Sequence, residues 1–184
     1  MVQLFFPLSK FIPYDCYKDV YSVDYNKLYE AGKRIILMDI DNTLIPYDQA
    51  LPNAALMDLF EKIKAIGFRI ILISNNHRER VKAVGEAAGI EYINNAMKPF
   101  RCGYRRVLKL ALPYTNKEII AIGDQLITDV LGANLHGIEA ILVNPLKLRS
   151  EKWFTKINRK IEERILRKIK NRHPEIHAKI EGIK

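Results

Sequence analysis

The sequence predicts an α/β fold: a parallel sheet of about five strands with helices on both faces. Three observations lead there. The runs Ile35-Ile36-Leu37-Met38, Ile70-Ile71-Leu72-Ile73 and Ile119-Ile120-Ala121-Ile122 are apolar without alternation, as strands covered on both faces must be. Each run stops abruptly in polar residues: Asp39-Ile40-Asp41-Asn42, Ser74-Asn75-Asn76 and Gly123-Asp124. Stretches of helical periodicity separate the runs, the alternation that builds parallel sheets.

Taken in order, residues up to about 33 mix charge with the aromatics Phe5, Phe6, Tyr14, Tyr17, Tyr21, Tyr25 and Tyr29. They close on a short helix over 24–31 stopped by Gly32. After the first strand, Leu56, Leu59, Phe60 and Ile63 mark a helix over about 53–66, ended by Gly67. The second strand leads to a helix over 77–88 that Gly89 stops, then to a weaker strand over 90–93. Lys98-Pro99 lies in the next loop, before a helix over about 101–112. After the strand that ends at Gly123-Asp124 comes a helix over 128–135, and a strand over 138–143 completes five β-α units.

With 184 residues, 48% of them hydrophobic, the chain has material for one domain with a short appendage. No apolar run reaches the ~18–20 residues of a spanning helix. The apolar start, including Leu4, Phe5, Phe6, Leu8, Phe11 and Ile12, lacks the cationic lead and cleavage site of a signal peptide and is interrupted by Pro7 and Pro13. Cys16 and Cys102 are too few for a disulfide framework, so a cytoplasmic setting is expected. Charge is uneven. Residues 147–184 hold 13 basic and 5 acidic side chains, against 17 and 16 in residues 1–146. A near-neutral domain over 1–146 therefore carries a cationic tail over 147–184.

In a parallel sheet the groups that follow the strands share one edge, where ligands bind. Asp39, Asp41, Ser74, Lys98 and Asp124 all occupy such positions. Singly, each is an ordinary loop or helix-cap residue. Together, three carboxylates at one edge repel one another unless a cation is present, and oxygen donors of this kind suit Mg²⁺.

These residues also carry a resemblance. Asp39-Ile40-Asp41-Asn42-Thr43 resembles the DxDxT nucleophile motif of the haloacid dehalogenase-like hydrolases. Ser74 matches their second motif, Lys98-Pro99 the third, and Gly123-Asp124 with Asp129 the fourth, all in order. The resemblance implies a Rossmann-like, three-layer fold of the capless subclass III. The aromatic lead and the Gly123-Asp124-Gln125 motif are similar to the YqeG branch, related to mitochondrial phosphatidylglycerophosphatases.

The roles it implies make physical sense here. Asp39 would attack phosphorus and form an aspartyl-phosphate, and Asp41 would act as acid and then base. Mg²⁺ would sit on Asp39, Asp124 and the Asp41 carbonyl, with Lys98 adding charge. Ser74, Asn75 and Lys98 would hold the phosphate, while Thr43 and Asp129 would brace the site from behind.

Neither the interval 44–66 nor 77–97 can hold a folded cap, so an open site is expected, suited to a phosphate on a large or membrane-bound molecule. Arg101, Arg105 and Lys109, like His77, Arg78, Arg80 and Lys82, fit either a solvated helix face or a second phosphate contact. In the tail, Trp153, Phe154, Ile157, Ile161, Ile165 and Ile169 recur at helical spacing among Lys152, Lys156, Arg159, Lys160, Arg164, Arg167 and Lys168. This basic amphipathic helix fits docking on the domain, peripheral contact with the anionic inner face of a membrane, or nucleic acid. His173 and His177 flank Pro174 and are not read as a metal pair. The expected activity is Mg²⁺-dependent hydrolysis of a phosphomonoester, phosphatidylglycerophosphate being the substrate the resemblance favours. The alternatives are soluble sugar phosphates or nucleic-acid ends, and a non-catalytic RNA- or ribosome-binding scaffold.

Overall fold

The computed structural model describes residues 6–148 and 153–183. Leu4, Phe5 and Lys152 lie outside them, and of Phe154 only the backbone is described. The strands are β1 (Asp15–Tyr17), β2 (Ile35–Asp39), β3 (Arg69–Ile73), β4 (Glu91–Ile93), β5 (Ile119–Gly123) and β6 (Glu139–Val143). They form one parallel sheet in the order β1-β6-β5-β2-β3-β4. The sheet thus has six strands rather than about five. The added strand, Asp15-Cys16-Tyr17, is short, half-buried and without an apolar run, and it pairs with β6 at the sheet edge.

Helices α1 (Tyr25–Glu30), α2 (Ala54–Ile66) and α3 (Arg78–Ala88) cover one face, while α4 (Arg101–Leu110) and α5 (Leu131–Leu135) cover the other. Strand residues divide between the faces with the two-residue period of extended chain. Ile36, Met38, Ile70, Leu72, Ile120 and Ile122 pack with Leu56, Phe60 and Ile63 of α2 and with Val81 and Val84 of α3. Ile35, Leu37, Ile71, Ile73, Ile119 and Ala121 pack with Tyr104 and Val107 of α4 and with Leu131 and Ala133 of α5. The result is three layers around a buried sheet. Local chemistry sets the helix limits. The Asn53 side chain accepts from Leu56 N–H at the start of α2, and Gly67 ends it at φ 112°, a left-handed geometry that favours glycine. The helix expected over 128–135 begins as a π-turn at Leu126–Val130 before α5.

The tail forms two helices, α6 (Trp153–Arg172) and α7 (Pro174–Gly182), because a proline starts a helix far better than it continues one. Its apolar stripe is divided. Ile165 and Ile169 of α6 and Ile180 of α7 are buried in the α4/α5 layer, whereas Trp153 and Ile157 remain exposed.

Candidate active site

Every residue assigned a role from the sequence lies at the carboxyl edge of the sheet. Asp39 ends β2, and Asp41 to Thr43 turn away from it; Asn42 adopts a left-handed φ of 70°, a conformation asparagine tolerates. Leu146 N–H donates to the Asn42 carbonyl at 2.9 Å and Lys147 N–H to Asn42 Oδ1 at 2.9 Å, so the chain leaving β6 braces this turn.

Lys98 is fully enclosed. Its ammonium donates to Asp39 Oδ1 and to Asp129 Oδ1, each at 2.6 Å, and to the Ile73 carbonyl at 3.4 Å. The Asn75 side chain holds the Lys98 backbone from both sides, its Nδ2 donating to the carbonyl at 3.0 Å and its Oδ1 accepting from N–H at 2.6 Å. The other oxygen of Asp129 accepts from Gln125 N–H at 3.0 Å. Gly123 makes room for this carboxylate, since a Cβ there would fall 2.3 Å from Asp129 Cγ.

Asp41 is held apart from this group. Arg80 Nε donates to its Oδ1 at 2.6 Å, Ser74 Oγ to its Oδ2 at 2.8 Å, and Asn76 Nδ2 reaches both oxygens at 3.3 Å. Arg80 also donates to the carbonyls of Gln49 and Pro46, tying α3 to the loop after β2. Asp124 accepts from Thr43 Oγ1 at 3.0 Å. Its second carboxylate oxygen accepts from Arg159 of α6, which also donates to the Asp124 carbonyl at 2.7 Å and to Glu162 at 3.2 Å.

Neither arginine contact follows from the sequence, which leaves Arg80 between a solvated face and a phosphate contact and puts Arg159 on the polar face of the tail. A signal for α6 does exist. Thr155, Asn158, Arg159 and Glu162 form one polar row at helical spacing, and each meets a loop of the site. Thr155 Oγ1 hydrogen-bonds Tyr47 Oη at 3.2 Å, Asn158 Nδ2 donates to Gln125 Oε1 at 3.2 Å, and Glu162 accepts from Ile127 N–H at 3.0 Å. The catalytic-edge cavity, about 50 Å³, is lined by Asp39, Asp41, Ser74 and Lys98, with Tyr47 and Asn158 closing its sides. No folded domain is inserted between the strands among the described residues; α6 contributes Asn158 to the cavity wall.

The electrostatics are strained toward negative charge. Asp39, Asp124 and Asp129 each offer an oxygen within 4.8 Å of the other two, and all three are buried. Burial chiefly, with Asp129, Asp124 and Asp41 adding to it and Lys98 opposing, pushes the Asp39 carboxyl well above its ordinary range. Burial raises Asp124 to about 6 against the pull of Arg159, and raises Glu162 to about 7. For Lys98, burial works against the charge, but Asp129 and Asp39 outweigh it and hold the ammonium above its usual range. Asp39 Oδ2 is buried without a hydrogen-bond partner among the described residues. An orphaned carboxylate oxygen beside two further buried carboxylates is a donor set fitted to a small hard dication.

Comparison with known proteins gives a consistent account. Residues 14–137 match the family model of the haloacid dehalogenase-like hydrolases. "Probable phosphatase YqeG" of Bacillus subtilis is 35% identical over 162 residues, covering 88% of this chain and 93% of that protein. "Phosphatidylglycerophosphate phosphatase 1, chloroplastic" of Chlamydomonas reinhardtii is 28% identical over 176 residues, covering 88% of this chain; the match spans 65% of the algal protein's length. Among solved structures, the magnesium-bound HAD-hydrolase YfnB of Bacillus subtilis aligns with a TM-score of 0.51 at 12% identity, over 60% of this chain and 86% of that one. That last likeness bears on the fold alone.

Proposed function

The chain belongs to the haloacid dehalogenase-like hydrolases, and we propose that it hydrolyses a phosphomonoester through an aspartyl-phosphate on Asp39, with Mg²⁺ as cofactor. The observation that carries this reading is the environment of Asp39. One oxygen is fixed by Lys98, the other is buried without a hydrogen-bond partner among the described residues, and Asp39 lines a small cavity together with Asp41, Ser74 and Lys98.

In this reading an Asp39 oxygen bonds to phosphorus as the bond to the leaving alcohol breaks, and Asp41 gives that oxygen its proton. Asp41 then takes a proton from water as the water attacks the aspartyl-phosphate, releasing inorganic phosphate and restoring Asp39. Arg80, Ser74 and Asn76 hold Asp41 for both transfers. On binding, Ser74 would turn its one O–H from Asp41 to the phosphate beside the Asn75 backbone, and Lys98 would exchange its Ile73 contact for a phosphate oxygen and offset its charge. Mg²⁺ would be held by Asp39, Asp124 and the Asp41 carbonyl, and when bound it supplies the positive charge that lets a carboxylate approach a phosphate dianion. Asp129 positions Lys98 and Thr43 positions Asp124.

For the substrate we favour a lipid headgroup monoester such as phosphatidylglycerophosphate, supported by the name of the algal relative and by the cationic tail. In that reading the protein would work in the cytoplasm, peripherally at the inner face of the membrane. Phosphate release from lipid and soluble monoesters in parallel tests the choice; turnover confined to soluble sugar phosphates or nucleic-acid ends would replace it. EDTA is expected to stop hydrolysis and Mg²⁺ to restore it, with Ca²⁺ failing because it is larger and prefers looser coordination. Full activity without metal would remove Asp124 from its role.

Arg159 gives a sharper test of the same cation site. It grips Asp124 by carbonyl and carboxylate together and opposes the burial that favours protonation. Arg159→Ala is therefore expected to weaken Mg²⁺ binding, measured by calorimetry, by roughly 10–100-fold, the usual effect of losing such a support. Tighter binding in the variant would instead make the guanidinium a competitor for the site.

A further inference from the structure

We propose that the rim of the catalytic cavity is a membrane-seating surface, in which exposed apolar side chains enter an anionic bilayer and turn the mouth of the site toward the lipid headgroups. The choice of partner rests on the lipid reading above; the surface itself is an independent observation. Of the ten large apolar side chains that stand exposed among the described residues, six belong to segments that also hold the site: Leu51, Met97, Phe100, Leu148, Trp153 and Ile157. Phe100 and Trp153 are 65% and 73% exposed, unusual for such rings on a soluble surface.

Their placement follows from contacts already described. Leu51 lies in the loop that Arg80 ties to Asp41. Met97 and Phe100 flank Lys98 and its neighbour Pro99. Leu148 follows Lys147, whose N–H is bonded to the Asn42 side chain. Trp153 and Ile157 share the solvent-facing side of the first turns of α6, whose other side carries Thr155 and Asn158 to Tyr47 and Gln125. The side chains thus come from four separate segments, each of which also contributes a contact to the site.

The cavity is small, about 50 Å³, so a substrate with a large group beyond its phosphate would keep that group outside, against the rim. That rim is apolar and cationic together. Arg101, Lys156 and Lys160 stand exposed among the apolar groups, and Lys147 is paired with Asp48. A protein partner would need relief matched to four loops, whereas a bilayer meets such a rim with anionic headgroups outside and acyl chains beneath. The division of the α6 stripe fits this geometry. Its second half is committed to the core, and the exposed half is the end that borders the site.

The test uses the full chain and its single tryptophan, Trp153. On vesicles of equal parts phosphatidylcholine and phosphatidylglycerol, Trp153 emission should shift to the blue and be quenched by brominated acyl chains; phosphatidylcholine alone should give far less. Trp153→Ser combined with Ile157→Ser should weaken co-sedimentation with the anionic vesicles by roughly tenfold or more. Hydrolysis of a soluble aryl phosphate should be unchanged, since neither side chain touches the cavity. Phe100→Ser, across the mouth, should act in the same direction. The surface is overturned if Trp153 emission is unmoved by anionic vesicles, if the double variant binds them as well as the parent, or if emission shifts with protein concentration in the absence of lipid, which would assign the rim to a second copy. The two proposals also fail separately: aryl phosphate turnover without lipid insertion sinks the surface alone, and insertion without any turnover sinks the hydrolase.

Discussion

Asp39→Asn should lower turnover of every phosphomonoester by at least about 10⁴-fold, the scale at which a lost nucleophile is felt, while the protein melts at or above its present temperature. The first half follows from chemistry: an amide is a very poor nucleophile and leaves nothing to form the aspartyl-phosphate. The second half follows from the buried cluster. The carboxylate is pushed toward neutrality by burial and by Asp129, Asp124 and Asp41, so an amide relieves repulsion, and its oxygen can still accept from Lys98. Activity above a few per cent of the parent would exclude the covalent route. A large fall in melting temperature would show that Lys98 needs an anion at 39, and the variant would then report on folding rather than chemistry. Thermal melts and single-turnover phosphate release measure both halves.

Ending the chain at residue 146 should remove both activity and a cooperative fold. Ile165, Ile169 and Ile180 would leave the layer they share with Leu126, Ile127, Leu131 and Leu142. Each fully buried side chain of this kind contributes about 1.5–3 kcal/mol, against total stabilities of about 5–15 kcal/mol. The loss is then comparable with the whole margin. Asp124 would also lose Arg159, and the Ile127 N–H would lose Glu162. The check is soluble yield, circular dichroism on heating, and aryl phosphate hydrolysis of the shortened chain. A soluble, active 1–146 would mean that the tail is an independent attachment whose packing adds little.

The sheet was legible in the sequence because its interior strands are apolar on both faces, which few other structures demand. Gly67 and Gly89 marked helix ends for an equally local reason, as both adopt left-handed φ after α2 and α3. The strand Asp15-Cys16-Tyr17 carried no such mark: three half-buried residues at an edge have no period to detect. In the site, Asp39, Ser74, Lys98 and Asp124 could be found because topology alone brings strand ends together. Arg80 and Arg159 could not, because a long cation on a helix looks the same whether it meets water or a buried carboxylate 35 or more residues away. Only the polar row on α6, read as a row, distinguished the two cases.

The dependence of Asp124 on Arg159 also has a consequence in time. A ribosome makes this chain from the amino end, so the strand-end acids are synthesised well before the guanidinium that balances one of them. A nascent chain that has passed Asp129 already holds Arg80 for Asp41 and Lys98 for Asp39 and Asp129, but not yet α6 or α7, so Asp124 stands without its guanidinium on an unfinished layer. Domains tend to fold as units during synthesis, but here the unit closes only when its last helices are released. The charge of Asp124 is therefore balanced only once Arg159 has been made and released, and a chain cut short before that residue lacks the balance.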